Sequence, residues 1–332
     1  MHTKSLATLA LLAALSIAPA HAEERFPAGG ILIDEKAQLT IAREDIYLSV
    51  REVRVHYEYR SDVPQTITMR FENPIVPIDG SPDHLGGALL DEGEDHTNYT
   101  RLSIKADGTE VTPRVREAAF FNGEDITTDL ADAGIPTYLA TWEDLRDAFA
   151  RLDPAKRDAL VARDIVIVDE YGDPAVPAWQ YRTVLEWEQE MAVGTTSVDI
   201  AYQPLNGYPS GVDPAHYGEG EDKAYVEQVR AFYCLDEAFY RAVARKRETV
   251  PYFEIVELGF SMSQEDRARP IEVFTLTVDK ADTAEGMEDM TFVAFCPAEA
   301  RKISDTQFRW SADNFTPSRD IDVAFYAFMP GS

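Results

Sequence analysis

Glu44 to Ser61 reads E-D-I-Y-L-S-V-R-E-V-R-V-H-Y-E-Y-R-S, and its alternation decides the fold class. From Ile46 the wide apolar members are Tyr47, Val53, Val55, Tyr57 and Tyr59, with Arg54, His56, Glu58 and Arg60 around the last four. A period of two sends successive side chains to opposite faces of an extended chain. The stretch therefore predicts a strand with one buried and one wet face.

The pattern continues on both sides. Upstream, Gly29-Gly30-Ile31-Leu32-Ile33 is a glycine pair followed by a short apolar strand, and Gln38 to Ala42 alternates through Leu39 and Ile41. Downstream, the turn cluster Ser61-Asp62-Val63-Pro64 breaks the strand. Gln65 to Phe71 then alternates again, with Ile67, Met69 and Phe71 on one face. This predicts an antiparallel hairpin and the start of a β-sandwich. Asp107-Gly108, flanked by Leu102-Ser103-Ile104 and Glu110-Val111, is a second hairpin signal.

Beyond it the period lengthens to that of a helix. Trp142, Leu145, Phe149 and Leu152 share one face after a capping Thr141, and Asp153-Pro154 opens a further helix that runs to about Arg163. Strand alternation returns over Trp179 to Met191, and Ser197 to Tyr202 is expected to pair back across a turn at Gly194. Helix faces follow around Tyr225 to Tyr233 and Phe239 to Val243. Strand patterns then fill Tyr252 to Phe328.

The fold class expected is α+β and mainly β: antiparallel, sandwich-like sheets with helical insertions. The parts expected are a β-rich segment 23–118, a helical excursion 119–168, and a β-rich segment 169–332 with helices near 222–247, together forming one unit.

The first residues read as an export signal. Lys4 precedes an apolar run from Leu6 to Ile17, and Ala20-His21-Ala22 is a small-x-small cleavage site, so cleavage is expected after Ala22. That run is too short to span a bilayer, and no later stretch approaches ~20 apolar residues. The mature chain is expected in the periplasm or secreted. Formal charge is -28, with 59 acids against 31 Lys and Arg. That excess argues against nucleic-acid or anionic-lipid surfaces, which need cations to displace counterions. The chain's two cysteines, Cys234 and Cys296, form an even pair in an oxidising compartment. As a disulfide they would close a 62-residue loop (296 minus 234), worth roughly 4 kcal/mol on the chain-entropy model.

No catalytic motif is present: G-x-S-x-G, H-E-x-x-H, a phosphate-binding glycine loop and C-x-x-C are all missing. Asp83, His84, Asp91, Glu92, Glu94, Asp95 and His96 form an oxygen- and imidazole-rich loop. It reads either as a solvated acidic segment or as a Ca²⁺ or Zn²⁺ site lacking the usual calcium frame. Trp179 and Trp187 read either as core aromatics or as a stacking platform for a sugar. His56 reads as a solvated strand residue. Glu186 and Glu188 share a strand face and suit either a wet surface or a glycosidase pair.

The ordered set G-G-I-L-I, the Glu44–Arg60 stretch, E-W at Glu186-Trp187 and V-D-I-A-Y-Q-P-L-N-G from Val198 to Gly207 resembles domain-of-unknown-function family 4424, exported bacterial proteins. Cys234, P-I-E-V-F-T-L-T-V from Pro270, F-C-P at Phe295 to Pro297 and N-F-T-P at Asn314 to Pro317 extend the resemblance over nearly the whole mature chain. Two departures stand out. Phe260 to Arg269 is the polar run F-S-M-S-Q-E-D-R-A-R where the family has a tight, Trp-containing turn, and Asp83 to His96 has no counterpart. The resemblance implies compartment and class, and no activity. Three functions are expected candidates: a non-enzymatic binding or envelope-associated module for an envelope protein or small molecule, a carboxylate-dependent hydrolase of an envelope polymer, and a divalent-metal module.

Overall fold

Two short strands, β1 (Ala28–Gly29) and β2 (Leu32–Ile33), precede the deciding stretch, which is divided between β3 (Thr40–Leu48) and β4 (Val53–Ser61). The computed structural model describes residues 26–34, 36–78, 95–139, 142–171, 173–207, 223–249, 252–262, 269–281, 290–297 and 299–329, so the expected export signal lies outside the described residues. The stretch is a hairpin rather than one strand. Ser49 N–H and hydroxyl both donate to the Glu52 carbonyl, at 2.9 and 3.1 Å, and close the turn. The turn resets the alternation. Tyr47, expected among the apolar members, lies on the polar face with the Arg54 guanidinium 4.0 Å above its ring. Ile46, Leu48, Val53, Val55, Tyr57 and Tyr59 face the core.

Next come β5 (Gln65–Glu72) and β6 (Val76–Pro77), then the hairpin β7 (Ser103–Ala106) and β8 (Thr109–Glu110). Asp107 and Gly108 turn that hairpin at φ 47° and 76°, the left-handed pair expected of an Asp-Gly turn. β9 (Arg114–Phe121) and β10 (Glu124–Asp125) lead into α1 (Thr127–Ala133), α2 (Trp142–Ala150) and α3 (Pro154–Ala162). Asp153 caps α3 by accepting from Ala155 N–H at 2.9 Å, as the Asp-Pro pair indicates. The excursion closes with β11 (Val166–Val168) and β12 (Pro174–Pro177). After it run β13 (Gln180–Met191), β14 (Gly194–Tyr202), α4 (Lys223–Phe232) and α5 (Glu237–Arg247). The C-terminal strands are β15 (Tyr252–Ser261), β16 (Ile271–Asp279), β17 (Met290–Phe295), β18 (Arg301–Lys302), β19 (Gln307–Phe315) and β20 (Ile321–Met329).

The two hairpins expected at Ser61–Pro64 and at Gly194 do not form. β4 pairs with β3 and β14 in an eight-stranded sheet ordered β18-β19-β16-β3-β4-β14-β7-β8. β5 pairs with β13 in another sheet, ordered β10-β9-β13-β5-β2, in which β6 also pairs with β13. The two links are therefore sheet corners. Ser61 faces Gly194 on one side of the crease and Gln65 faces Met191 on the other, so two long bent strands pair along their whole length. None of Asp62, Val63 and Pro64 adopts the positive φ of a tight two-residue hairpin turn.

Strands from both ends of the chain share sheets. β3 pairs in parallel with β16, and β1 in parallel with β15 in a four-stranded sheet ordered β1-β15-β20-β17. β20 is buried on both faces. Val323, Phe325 and Ala327 enter the main core against the larger sheets, whereas Ala324 and Tyr326 pack under α4 and α5 with Tyr233, Leu235 and Val243. The Cys234–Cys296 disulfide pins the α4–α5 turn to the end of β17, with a Cα–Cα distance of 5.3 Å. A separate cluster holds α1–α3 to the six-stranded sheet at the start of β13 through Leu130, Leu145, Phe149, Leu160 and Trp179.

Candidate functional site

The polar face of the eight-stranded sheet is ordered by strand register. In one row across the strands stand Thr275 (β16), Asp45 (β3), His56 (β4), Asp199 (β14) and Lys105 (β7). The next row holds Arg309 (β19), Thr277, Tyr47, Arg54, Ala201 and Ser103. Neighbouring strands are about 4.8 Å apart and alternate residues about 6.8 Å apart. Each row is thus a line of side chains at fixed intervals, and together they line a concavity of about 830 Å³. Its lining carries four cations, Arg43, Arg54, Lys105 and Arg309, against two acids, Asp45 and Asp199, a local balance of +2 within a chain of -28.

Hydrogen bonds within this face fix the middle of it. His56 Nδ1 lies 2.7 Å from Asp199 Oδ1, and Nε2 lies 3.7 Å from Glu58 Oε1. Arg43 faces Asp45 and Glu58 at 3.5 and 3.7 Å. Arg54 is held by Glu52 at 2.8 Å. At the β16–β19 end, Tyr47 donates to Asp279 Oδ2 at 3.2 Å and Gln307 Nε2 donates to the same oxygen at 2.7 Å. Burial works to raise the Asp279 carboxyl, but donation from Ala281 N–H and from the Gln307, Thr306 and Tyr47 side chains outweighs it and holds the group below its ordinary value. The Tyr47 hydroxyl is correspondingly raised, by burial first and then by the Asp279 charge.

A serine nucleophile needs an imidazole nitrogen in hydrogen-bond reach. Both His56 nitrogens face carboxylates, and Ser103, the serine lining the concavity, sits two strands away and one row over. Ladders of donors on a rigid sheet suit binding, because their spacing is set by the backbone.

The residues singled out from the sequence fall elsewhere. Asp83, His84, Asp91, Glu92 and Glu94 lie outside the described residues. Asp95 caps a single 3-10 turn, accepting from Thr97 N–H at 2.9 Å, and His96 stacks on Tyr138 with centroids 4.5 Å apart. Among the described residues no group of three or more His, Cys, Asp or Glu is placed to hold a metal ion. The stacking-platform reading of Trp179 and Trp187 is corrected. They are 1% and 6% exposed and belong to different cores, so they share no solvent face. Glu186 stands opposite Arg70 and Arg114, and Glu188 accepts from Thr68 at 2.9 Å, on the outer face of β13. Arg43, Asp45, Lys105, Asp199 and Arg309 belong to no catalytic motif in the sequence. Each was visible as a polar member of an alternating strand, but which strands adjoin was not.

No helix among the described residues is long and apolar enough to cross a membrane. No curated protein matches the chain in sequence. Among solved structures, a "putative nutrient binding protein" from Legionella pneumophila subsp. pneumophila str. Philadelphia 1 is similar at 10% identity and a TM-score of 0.42, covering 90% of this chain and 70% of that one. A likeness at that score supports no inference about ligand or activity. The family model for a domain of unknown function, DUF4424, matches residues 22–324, nearly the whole chain, and the chain belongs to that family.

Proposed function

We propose that the protein is an exported periplasmic binding module that holds a small molecule on the concave face of its eight-stranded sheet and performs no chemistry on it. The observation that carries this reading is the pair of register-aligned polar rows around His56, in which donors are plentiful and no nucleophile meets a base. The disulfide and the family match support an exported setting.

The test is a thermal-shift screen of protein recovered from the periplasm against small polar metabolites. At least one compound is expected to raise Tm, and Arg54→Ala, which leaves the core untouched, is expected to abolish that rise. Mass spectrometry of the same sample is expected to give Glu23 as the first residue. A second reading, an acid-dependent hydrolase, is favoured by one feature: Asp45 and Asp199 flank His56 on adjacent strands, about 10 Å apart at strand spacing. Turnover of an envelope polymer that disappears in Asp45→Asn would replace the binding reading with this one.

A further inference from the structure

At its β18–β19 edge the polar face carries an arrangement that the sheet itself does not explain. Arg301 and Arg309 are directly opposite across the antiparallel β18–β19 pair, so their side chains project to the same face. Both are exposed, and no acid among the described residues pairs with either. Like charges in that position repel and destabilise a strand pair. By contrast, Arg43, Arg54 and Arg60 on the same sheet each have a carboxylate partner. Arg309 is oriented from behind, its Nε donating to Thr277 Oγ1 at 3.2 Å, and nothing described engages its terminal nitrogens. It is also the member of the pair that lines the concavity, in one row with Thr277, Tyr47 and Arg54.

We infer that this end of the concave face is an oxyanion site: Arg309 and Arg301 grip a carboxylate or phosphate group of a small organic anion whose remainder lies along the Thr277–Tyr47–Arg54 row. The inference rests on the binding-module reading and supplies its ligand class. Two guanidinium groups match an oxyanion in charge and in fork geometry, and the bound anion removes the repulsion between them. The size follows from the rest of the molecule. A chain of net charge -28 repels an extended polyanion along its whole length. A mono- or dianion meets only the local positive field within about 8–10 Å at ordinary ionic strength.

The experiment is titration calorimetry of the full mature chain with succinate, glycerol phosphate and inorganic phosphate, with succinamide and glycerol as neutral counterparts. The comparison is between the wild type, the Arg301→Gln/Arg309→Gln double variant, and Lys302→Gln on the other face of β18. At least one anion is expected to bind, its neutral counterpart not to bind, and affinity to fall on raising the salt. The double variant should lose at least tenfold in affinity while Lys302→Gln retains it. Succinate against glycerol phosphate decides between carboxylate and phosphate ester. Without ligand, the double variant should melt at or above the wild-type temperature, because a repulsive pair has been removed. A purely structural role for these arginines would lower it, and that result overturns the inference. If a neutral compound binds, is lost in Arg54→Ala and is indifferent to the double variant, the anion assignment fails and the binding module stands. If no compound of either class binds, both fail.

Discussion

A methyl group added at Gly30 would lie 1.9 Å from the Tyr57 hydroxyl oxygen, closer than any two such atoms can approach. That hydroxyl is fixed in the core, where it accepts the Ile31 N–H at 3.3 Å. Gly30→Ala is therefore expected to destabilise the protein by about 1–3 kcal/mol through overpacking. Tyr57→Phe alone should cost about 1 kcal/mol, the net worth of a buried hydrogen bond. The two changes share one clash, so in urea melts the double variant should be less destabilised than the sum of the singles. An additive result would mean that the glycine is required for another reason. At this scale the sequence was informative: the glycine pair was conspicuous as a signal, although only the structure names the tyrosine it makes room for.

Elements were read correctly where the cause is local. The Asp-Gly hairpin, the Asp-Pro start of α3 and the helices α4 and α5 all follow from neighbouring residues, and so does the cap of α5. Asp236 accepts from Phe239 N–H at 2.7 Å and starts α5, whose Val243 is fully buried against the four-stranded sheet. Asp236→Ala should cost about 1 kcal/mol and loosen α5 selectively, seen as faster amide exchange over Glu237–Arg247 with β20 unchanged. Equal acceleration in β20 would show that α5 and the sheet beneath it open together. The failures at this scale share one cause. Two alternating runs joined by two or three residues look alike whether the link is a hairpin or a corner, and only burial of the flanking faces against different sheets separates the two. The same ambiguity hides the polar face of the eight-stranded sheet. Arg309 is 262 residues from Tyr47 (309 minus 47) and 255 from Arg54 (309 minus 54), and strand order, which is not a local property, is what aligns them.

At the scale of the molecule, one covalent link ties the α4–α5 layer to the four-stranded sheet. The disulfide joins the α4–α5 turn to the end of β17 and closes the 62-residue separation anticipated from the sequence. Its reduction is expected to lower stability by about 2–4 kcal/mol, with a mass increase of two hydrogens confirming the change. An unchanged melting curve after confirmed reduction would show that the helical layer is held by its apolar contacts with Tyr326 and Ala324 alone. The pairing of β1 with β15 has a consequence in time. Ala28 sits beside Phe260, 232 residues later (260 minus 28), so the first strand has no partner until most of the chain has been synthesised. Such long-range pairing slows folding, because the entropy of closing the loop is lost before any pairing energy returns. The chain would therefore remain open well after its N-terminus emerges, as the export proposed above would require.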